Sequence, residues 1–283
     1  GEKSMIRIKL TLLAAGYCTQ SEHMLFHDGA RKTVQFPAIF ALLEHPIHGP
    51  ILFDTGYSER FFAETRRFPA SLYRQLTPVY LHPEETAVRQ LATRGIAATD
   101  VQTIIISHFH ADHVCGLADF PQARYLYFDD AYPAVHQRQG IKALRAAFLP
   151  GLIPPNFDER SRLVRMDQLR PLPTAYAPFD QGIDLFGDGA LIAVRAPGHA
   201  AGQMGLFVQA NDGERYFLVA DACWHSRAYR ENRLPNSLVR FICSNWRDYG
   251  LSFAKICQFH RNHPEVRIIP SHCREVYEQY IAS

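Results

Sequence analysis

Four side chains able to ligate a metal ion, His108, His110, Asp112 and His113, fall within six residues of this chain, in the stretch Ser107-His108-Phe109-His110-Ala111-Asp112-His113. The stretch follows the β-branched run Thr103-Ile104-Ile105-Ile106, which reads as a buried strand. A strand ending in His-x-His-x-Asp-His projects imidazole nitrogens and a carboxylate from its tip and the following turn, where one rigid backbone can aim them at two neighbouring ions. A structural zinc is usually closed by four ligands rich in Cys and paired by short spacers. This cluster offers only nitrogen and oxygen, with no Cys-x-x-Cys nearby. A lone histidine is more often a core or surface residue, but ligand types at this spacing after a strand favour the metal reading.

A catalytic metal site draws its remaining ligands from distant strand ends and turns, and three further candidates have that setting. Leu191-Ile192-Ala193-Val194 leads through the Pro/Gly turn Ala196-Pro197-Gly198 to His199. Tyr216-Phe217-Leu218-Val219-Ala220 ends in Asp221, and Val266-Arg267-Ile268-Ile269-Pro270-Ser271 leads to His272. The repetition of one pattern, an apolar strand followed by a ligand, weighs more than any single match. Two divalent ions held by imidazole and carboxylate would share a bridging water and lower its pKa from ~15.7 toward ~7. Such a site needs no nucleophilic Ser or Cys. The chain has no Gly-x-Ser-x-Gly elbow, Walker loop or dinucleotide fingerprint to compete, so metal-assisted hydrolysis is the expected reaction class.

In this order, the candidates resemble the metallo-β-lactamase superfamily, whose members carry a His-x-His-x-Asp-His motif, then a single His, a bridging Asp and a final His. The likeness spans most of the chain. Pro50-Ile51-Leu52-Phe53-Asp54-Thr55-Gly56 is similar to the family's early strand ending in Asp-x-Gly. The resemblance implies an αββα sandwich, two mixed sheets between helices. It also implies that His108, His110 and His199 hold one ion, that Asp112, His113 and His272 hold the other, and that Asp221 bridges them. Asp54 would support the ligands from behind. Asp112 and Asp221 would carry the catalytic charge, and the ions would be zinc, with manganese and iron as alternatives.

Within the superfamily the chain resembles quorum-quenching N-acyl-homoserine lactonases in residues 51–56, in the 107–113 block followed by Gly116-Leu117, and in Ala196-Pro197-Gly198-His199. There is one departure. Such lactonases place a Tyr three residues after the bridging Asp, whereas this chain reads Asp221-Ala222-Cys223-Trp224. An indole N–H can donate a hydrogen bond but cannot act as an acid, so Trp224 either shapes a different acyl pocket or packs as a core aromatic. The expected function is a binuclear hydrolase attacking an ester or lactone carbonyl with a metal-bridging hydroxide.

Length and composition bound the reading. A chain of 283 residues with 47% hydrophobic content can bury a large core and suits one α/β domain. Residues 5–283 read as that domain, with insertions near 57–82 and 132–186, while Gly1 to Ser4 before Met5 read as a tag remnant. The net charge of +2 with scattered Lys and Arg gives no electrostatic footprint for nucleic acid. No apolar run approaches the ~18 residues of a spanning helix, and Cys18, Cys115, Cys223, Cys243, Cys257 and Cys273 lack a disulfide-framework spacing. A soluble cytoplasmic protein is expected. Cys115, Cys223 and Cys273 lie near the proposed ligands and read as buried thiols. Arg227, Arg230, Arg233 and Arg240 follow Asp221 and read as a solvated face, with a site-edge role for one of them as the other reading.

The pattern predicts strands over 6–14, 38–44, 50–54, 103–106, 123–127, 191–194 and 216–220, and one leading to His272. Helices are predicted over 84–94, stopped by Gly95, over 130–148 and over 251–262. The stretch 149–190, rich in Pro and Gly, promises less regular structure. The substrate pocket is expected from the two insertions, which hold Phe61, Phe62, Phe68, Leu72, Tyr73, Leu76 and Tyr80, then Phe148, Leu149, Leu152, Ile153 and Phe157; core packing is the plainer role for most of them. An aromatic mouth favours an acyl chain or aromatic ester over a sugar phosphate. The same surfaces could form a homodimer interface. A glyoxalase II-type thioesterase would need a basic pocket, and a phosphodiesterase or nuclease more basic surface. A non-catalytic scaffold would more often have lost ligands.

Overall fold

A computed structural model describes residues 5–282. Residues 1–4, read above as a tag remnant, lie outside them. The strands are β1 (Lys9–Ser21), β2 (Thr33–His45), β3 (Gly49–Phe53), β4 (Val79–Tyr80), β5 (Thr103–Ile105), β6 (Arg124–Phe128), β7 (Ser161–Val164), β8 (Arg170–Pro171), β9 (Gln181–Asp184), β10 (Leu191–Arg195), β11 (Met204–Gln209), β12 (Arg215–Ala220) and β13 (Arg267–Pro270). They form a seven-stranded sheet ordered β4-β1-β2-β3-β5-β6-β7 and a six-stranded sheet ordered β13-β12-β11-β10-β9-β8. Both sheets are mixed. β1 to β3 are antiparallel while β3, β5 and β6 run parallel, and β12 pairs parallel with β13 but antiparallel with β11.

The period of two along each strand decides which core a side chain joins. Ile51 and Phe53 of β3, Ile105 of β5, and Leu218 and Ala220 of β12 meet between the sheets, in one core with Leu12, Leu43, Leu191 and Leu206. Their neighbours Leu52, Ile104, Phe217 and Val219 face outward and are covered by helices. On the second sheet the cover is the helix Trp246–Asn262, which buries Phe253, Ile256 and Phe259. Phe259 lies 5.1 Å from Phe207 and 5.4 Å from Phe217, ring to ring. On the first sheet, the helix Ala87–Thr93 buries Ala87 and Leu91. Helices therefore cover both outer faces of the paired sheets, the αββα arrangement expected.

Three local expectations need correction. The helix expected over 130–148 is confined to Gly140–Arg145, because Pro133 removes a backbone donor and Gly140 adopts a positive φ of 56°. β1 runs on past residue 14 to Ser21 because a register shift between Ala14 and Tyr17 absorbs Gly16 and keeps the pairing with β2. The irregular stretch 149–190 supplies β7, β8 and β9, and β7 extends the first sheet by pairing parallel with β6.

Backbone contacts draw the ligand-bearing strand tips together. Met204 N–H donates to Ser107 C=O at 2.9 Å and Ile39 N–H to Ser271 C=O at 2.9 Å, so each bond ties one sheet to a tip of the other. Ser271 N–H donates to Ala220 C=O at 3.1 Å, setting His272 beside Asp221.

Candidate metal centre

All seven ligand candidates meet at this edge. His108, His110, His199 and Asp221 form one group able to hold an ion, and Asp112, His113, Asp221 and His272 a second, the donor atoms of each group lying within 4.8 Å of one another. Asp221 belongs to both. Its Oδ2 lies 3.1 Å from His199 Nε2 and 3.1 Å from His272 Nε2, while its Oδ1 lies 3.1 Å from His113 Nε2. Asp112 Oδ2 closes the second group at 2.9 Å from His272 Nε2.

Backbone geometry makes this convergence possible. Asp54 follows β3 directly with φ 61° and Ala220 ends β12 with φ 50°, left-handed turns that lift Asp54 and Asp221 off their strands. Gly198, at φ 128°, lies so close to the start of the helix Trp246–Asn262 that a Cβ there would overlap the Tyr249 backbone. That close approach positions His199.

Hydrogen bonds at the outer ring nitrogens decide which nitrogen faces the centre. Asp54 Oδ2 accepts from His113 Nδ1 at 2.7 Å, and Pro37 C=O accepts from His272 Nδ1 at 2.9 Å. Ser107 Oγ donates to Asp54 Oδ2 at 2.7 Å, which leaves it to accept from His108 Nδ1 at 2.9 Å. Each of these rings thereby turns its Nε2 toward the centre. Gln203 Oε1 accepts from Asp221 N–H at 3.1 Å, while Gln203 Nε2 donates to Ala196 C=O at 2.8 Å.

The donor set fits divalent ions, since His108 Nε2, His113 Nε2 and Asp221 Oδ1 are buried and have no hydrogen-bond partner. Buried polar atoms aimed at one another and left unpaired are costly unless a cation satisfies them. The electrostatics agree. Burial, then the neighbouring His113, hold His108 well below the usual imidazole range, and burial with His199 brings His110 down to about 3. Burial would push the Asp112 and Asp221 carboxyls up, but the imidazoles around them reverse this and hold both well below the usual range.

A cavity of about 560 Å³ opens onto the centre, lined by His110, Asp112, His199, Asp221 and His272 together with Met24, Phe36, Tyr57, Tyr73, Leu76 and Trp224. Trp224 stands edge-on to His199, 5.7 Å between ring centroids, and its Nε1 is buried without a partner. Of the apolar residues expected from the insertions, Tyr73 and Leu76 line the cavity, whereas Phe61, Phe148, Leu149, Leu152 and Phe157 belong to the core. Arg227, Arg230 and Arg233 engage Glu231, Glu275 and Asp28 instead of the cavity, and Arg240 stacks on Phe241. Cys115, Cys223 and Cys273 are buried thiols outside both ligand groups. Cys18 does line the cavity, but burial and then Asp112 push its thiol up to about 12, which keeps it neutral.

Fold and site together define a metal-dependent hydrolase. The family described as the metallo-β-lactamase superfamily matches residues 41–213, and the chain belongs to it. It is 27% identical over 245 residues to an N-acyl homoserine lactonase, AttM, of Azorhizobium caulinodans, covering 84% of this chain and 85% of that protein. It is equally 27% identical to a probable metallo-hydrolase, Rv2300c, of Mycobacterium tuberculosis, over 84% of this chain and 75% of the other. A solved N-acyl homoserine lactone hydrolase, with the product N-hexanoyl-L-homoserine bound at its catalytic metal center, shares the fold with a TM-score of 0.75 at 18% identity, covering 98% of this chain and 97% of that one. A dizinc quorum-quenching lactonase, AidC, aligns with a TM-score of 0.62 at 16% identity, covering 96% and 92%.

Proposed function

We propose that the protein is a binuclear hydrolase of lactones or related esters with an apolar portion. The observation that carries this reading is that the Asp221 carboxylate belongs to both ligand groups, so that two ions would be held side by side at the floor of an apolar cavity. His108, His110 and His199 would hold one ion, and Asp112, His113 and His272 the other. Two divalent ions here, zinc in the first instance with manganese and iron as alternatives, would supply a water acidic enough to ionise near neutral pH and a positive centre to polarise a carbonyl.

The chain's own groups do the rest. Asp54 and Pro37 keep the protons of His113 and His272 on the outer nitrogens. Asp112, which borders the cavity, is the carboxylate able to take a proton from the attacking water and return it to the leaving oxygen. Trp224 and Tyr57 border the space left for the acyl portion, and the Tyr57 phenol, raised well above its ordinary pKa by burial and then by Cys18, stays protonated. The relatives named N-acyl homoserine lactonases support a lactone over a thioester or phosphodiester. Hydrolysis of matched lactones, thioesters and phosphodiesters with zinc, manganese and iron tests the proposal. Fastest turnover of lactones supports it, and fastest turnover of thioesters or phosphodiesters overturns it.

A further inference from the structure

Once the ligands are set aside, the polar groups lining the cavity are the Cys18 thiol, Gln20, Thr77, the phenols of Tyr57 and Tyr73, the Trp224 indole and Arg145. Gln20 Nε2 is already committed to Leu76 C=O at 3.0 Å and Thr77 Oγ1 at 3.2 Å. Arg145 is the one charged side chain outside the ligand set. Among the described residues it lies within ion-pair distance of no carboxylate, in contrast to Arg60, Arg195, Arg227, Arg230 and Arg233.

Its place is fixed by the backbone. Arg145 ends the helix Gly140–Arg145, and Ala147 turns the chain sharply with φ 50°. Ala147 C=O accepts from Ala111 N–H at 3.0 Å, the residue between His110 and Asp112, and Phe148 N–H returns to Ala143 C=O at 3.0 Å. Arg145 therefore lines the cavity from a turn bonded directly to the loop that carries His110 and Asp112. A free guanidinium there has five N–H donors and no acceptor, a geometry that recognises a carboxylate by paired hydrogen bonds.

We propose that Arg145 is a specificity residue that favours substrates bearing a carboxylate away from the scissile carbonyl, an inference that rests on the cavity being the substrate site of the hydrolase. A lactone whose side chain ends in carboxylate would place its apolar stem among Met24, Phe36 and Leu76 and its charge on Arg145. Because the side chain is exposed, the preference weakens as salt rises.

The test compares two lactones of equal side-chain length, one ending in methyl and one in carboxylate, with metal-loaded wild type, Arg145→Ala, Arg145→Lys and Arg145→Glu. The carboxylate-to-methyl ratio of kcat/KM should fall about five- to tenfold in Arg145→Ala, as expected for one partly exposed charge-assisted contact. The change should lie mainly in KM, with Lys partly restoring the ratio and Glu lowering it further. An unchanged ratio across the four proteins overturns the proposal. Equilibrium dialysis of the corresponding non-hydrolysable amides reads the same ratio as binding. If neither lactone is turned over, the hydrolase reading fails, while Arg145 is still judged by whether Arg145→Ala removes the carboxylate preference in dialysis.

Discussion

Asp54 Oδ2 lies 2.7 Å from His113 Nδ1, and the same carboxylate takes the Ser107 hydroxyl at 2.7 Å while its other oxygen takes the Ser107 N–H at 2.8 Å. One side chain just past the end of β3 thus sets the proton position on His113 directly and on His108 through Ser107. Asp54→Asn tests that role cleanly, because Asn also tolerates the left-handed backbone that Asp54 adopts. An amide facing His113 Nδ1 would push the ring's proton onto Nε2. The affinity of the second ion should then fall roughly 10- to 100-fold, as is typical on losing such a supporting partner. Chelator competition measures it, and unchanged affinity would remove Asp54 from the account.

Metal loading should be pH-dependent, with a definite sign. Burial alone would lower the His272 pKa, but Asp221 and Asp112 outweigh it and push the ring up to about 10 in the metal-free protein. His113 is likewise raised well above its ordinary value, since Asp112, Asp221 and Asp54 outweigh burial. Both rings therefore hold a proton more tightly than an ordinary imidazole, and an ion must displace it, so affinity falls as pH drops and rises as pH climbs toward the raised pKa of His272. Chelator competition from acid to neutral pH measures this, with affinity expected to climb throughout. Affinity that does not change with pH would show that no ring proton is displaced.

Gly198→Ala should cost about 3 kcal/mol, from a φ that L side chains rarely adopt plus overlap with the Tyr249 backbone. Denaturant midpoints report this. An unchanged midpoint would mean that the His199 turn has more room than the structure gives it.

Trp224→Tyr should alter the ranking of acyl-chain lengths without altering metal content, because Trp224 lines the cavity but belongs to neither ligand group. An identical substrate profile would assign the indole to packing.

The cluster of candidate ligands was legible because a metal would demand particular atoms at strand ends: the 107–113 block is local, and His199, Asp221 and His272 each follow an apolar strand. The support was not. Ser107 and Gln203 are ordinary residues in the sequence, and only contacts across 53 residues to Asp54 and 18 residues to Asp221 reveal their use. The helix read over 130–148 failed because Pro133 and Gly140, both visible in the sequence, outweigh the helix formers Ala134, Gln137 and Arg138 that lie between them. The cavity was half legible. Tyr73 and Leu76 came from the expected insertion, but Phe36 from β2 and Phe241 from the short 3-10 helix Ser237–Phe241 reach it through tertiary folding that no local pattern encodes.

The central claim, that two ions act together across Asp221, is tested most directly by adding metal back to chelator-stripped protein while following lactone hydrolysis. Hydrolysis should stay low through the first equivalent and reach its plateau near about two ions per chain, as expected for a two-metal site. A plateau near about one ion, or undiminished hydrolysis in the stripped protein, would contradict it.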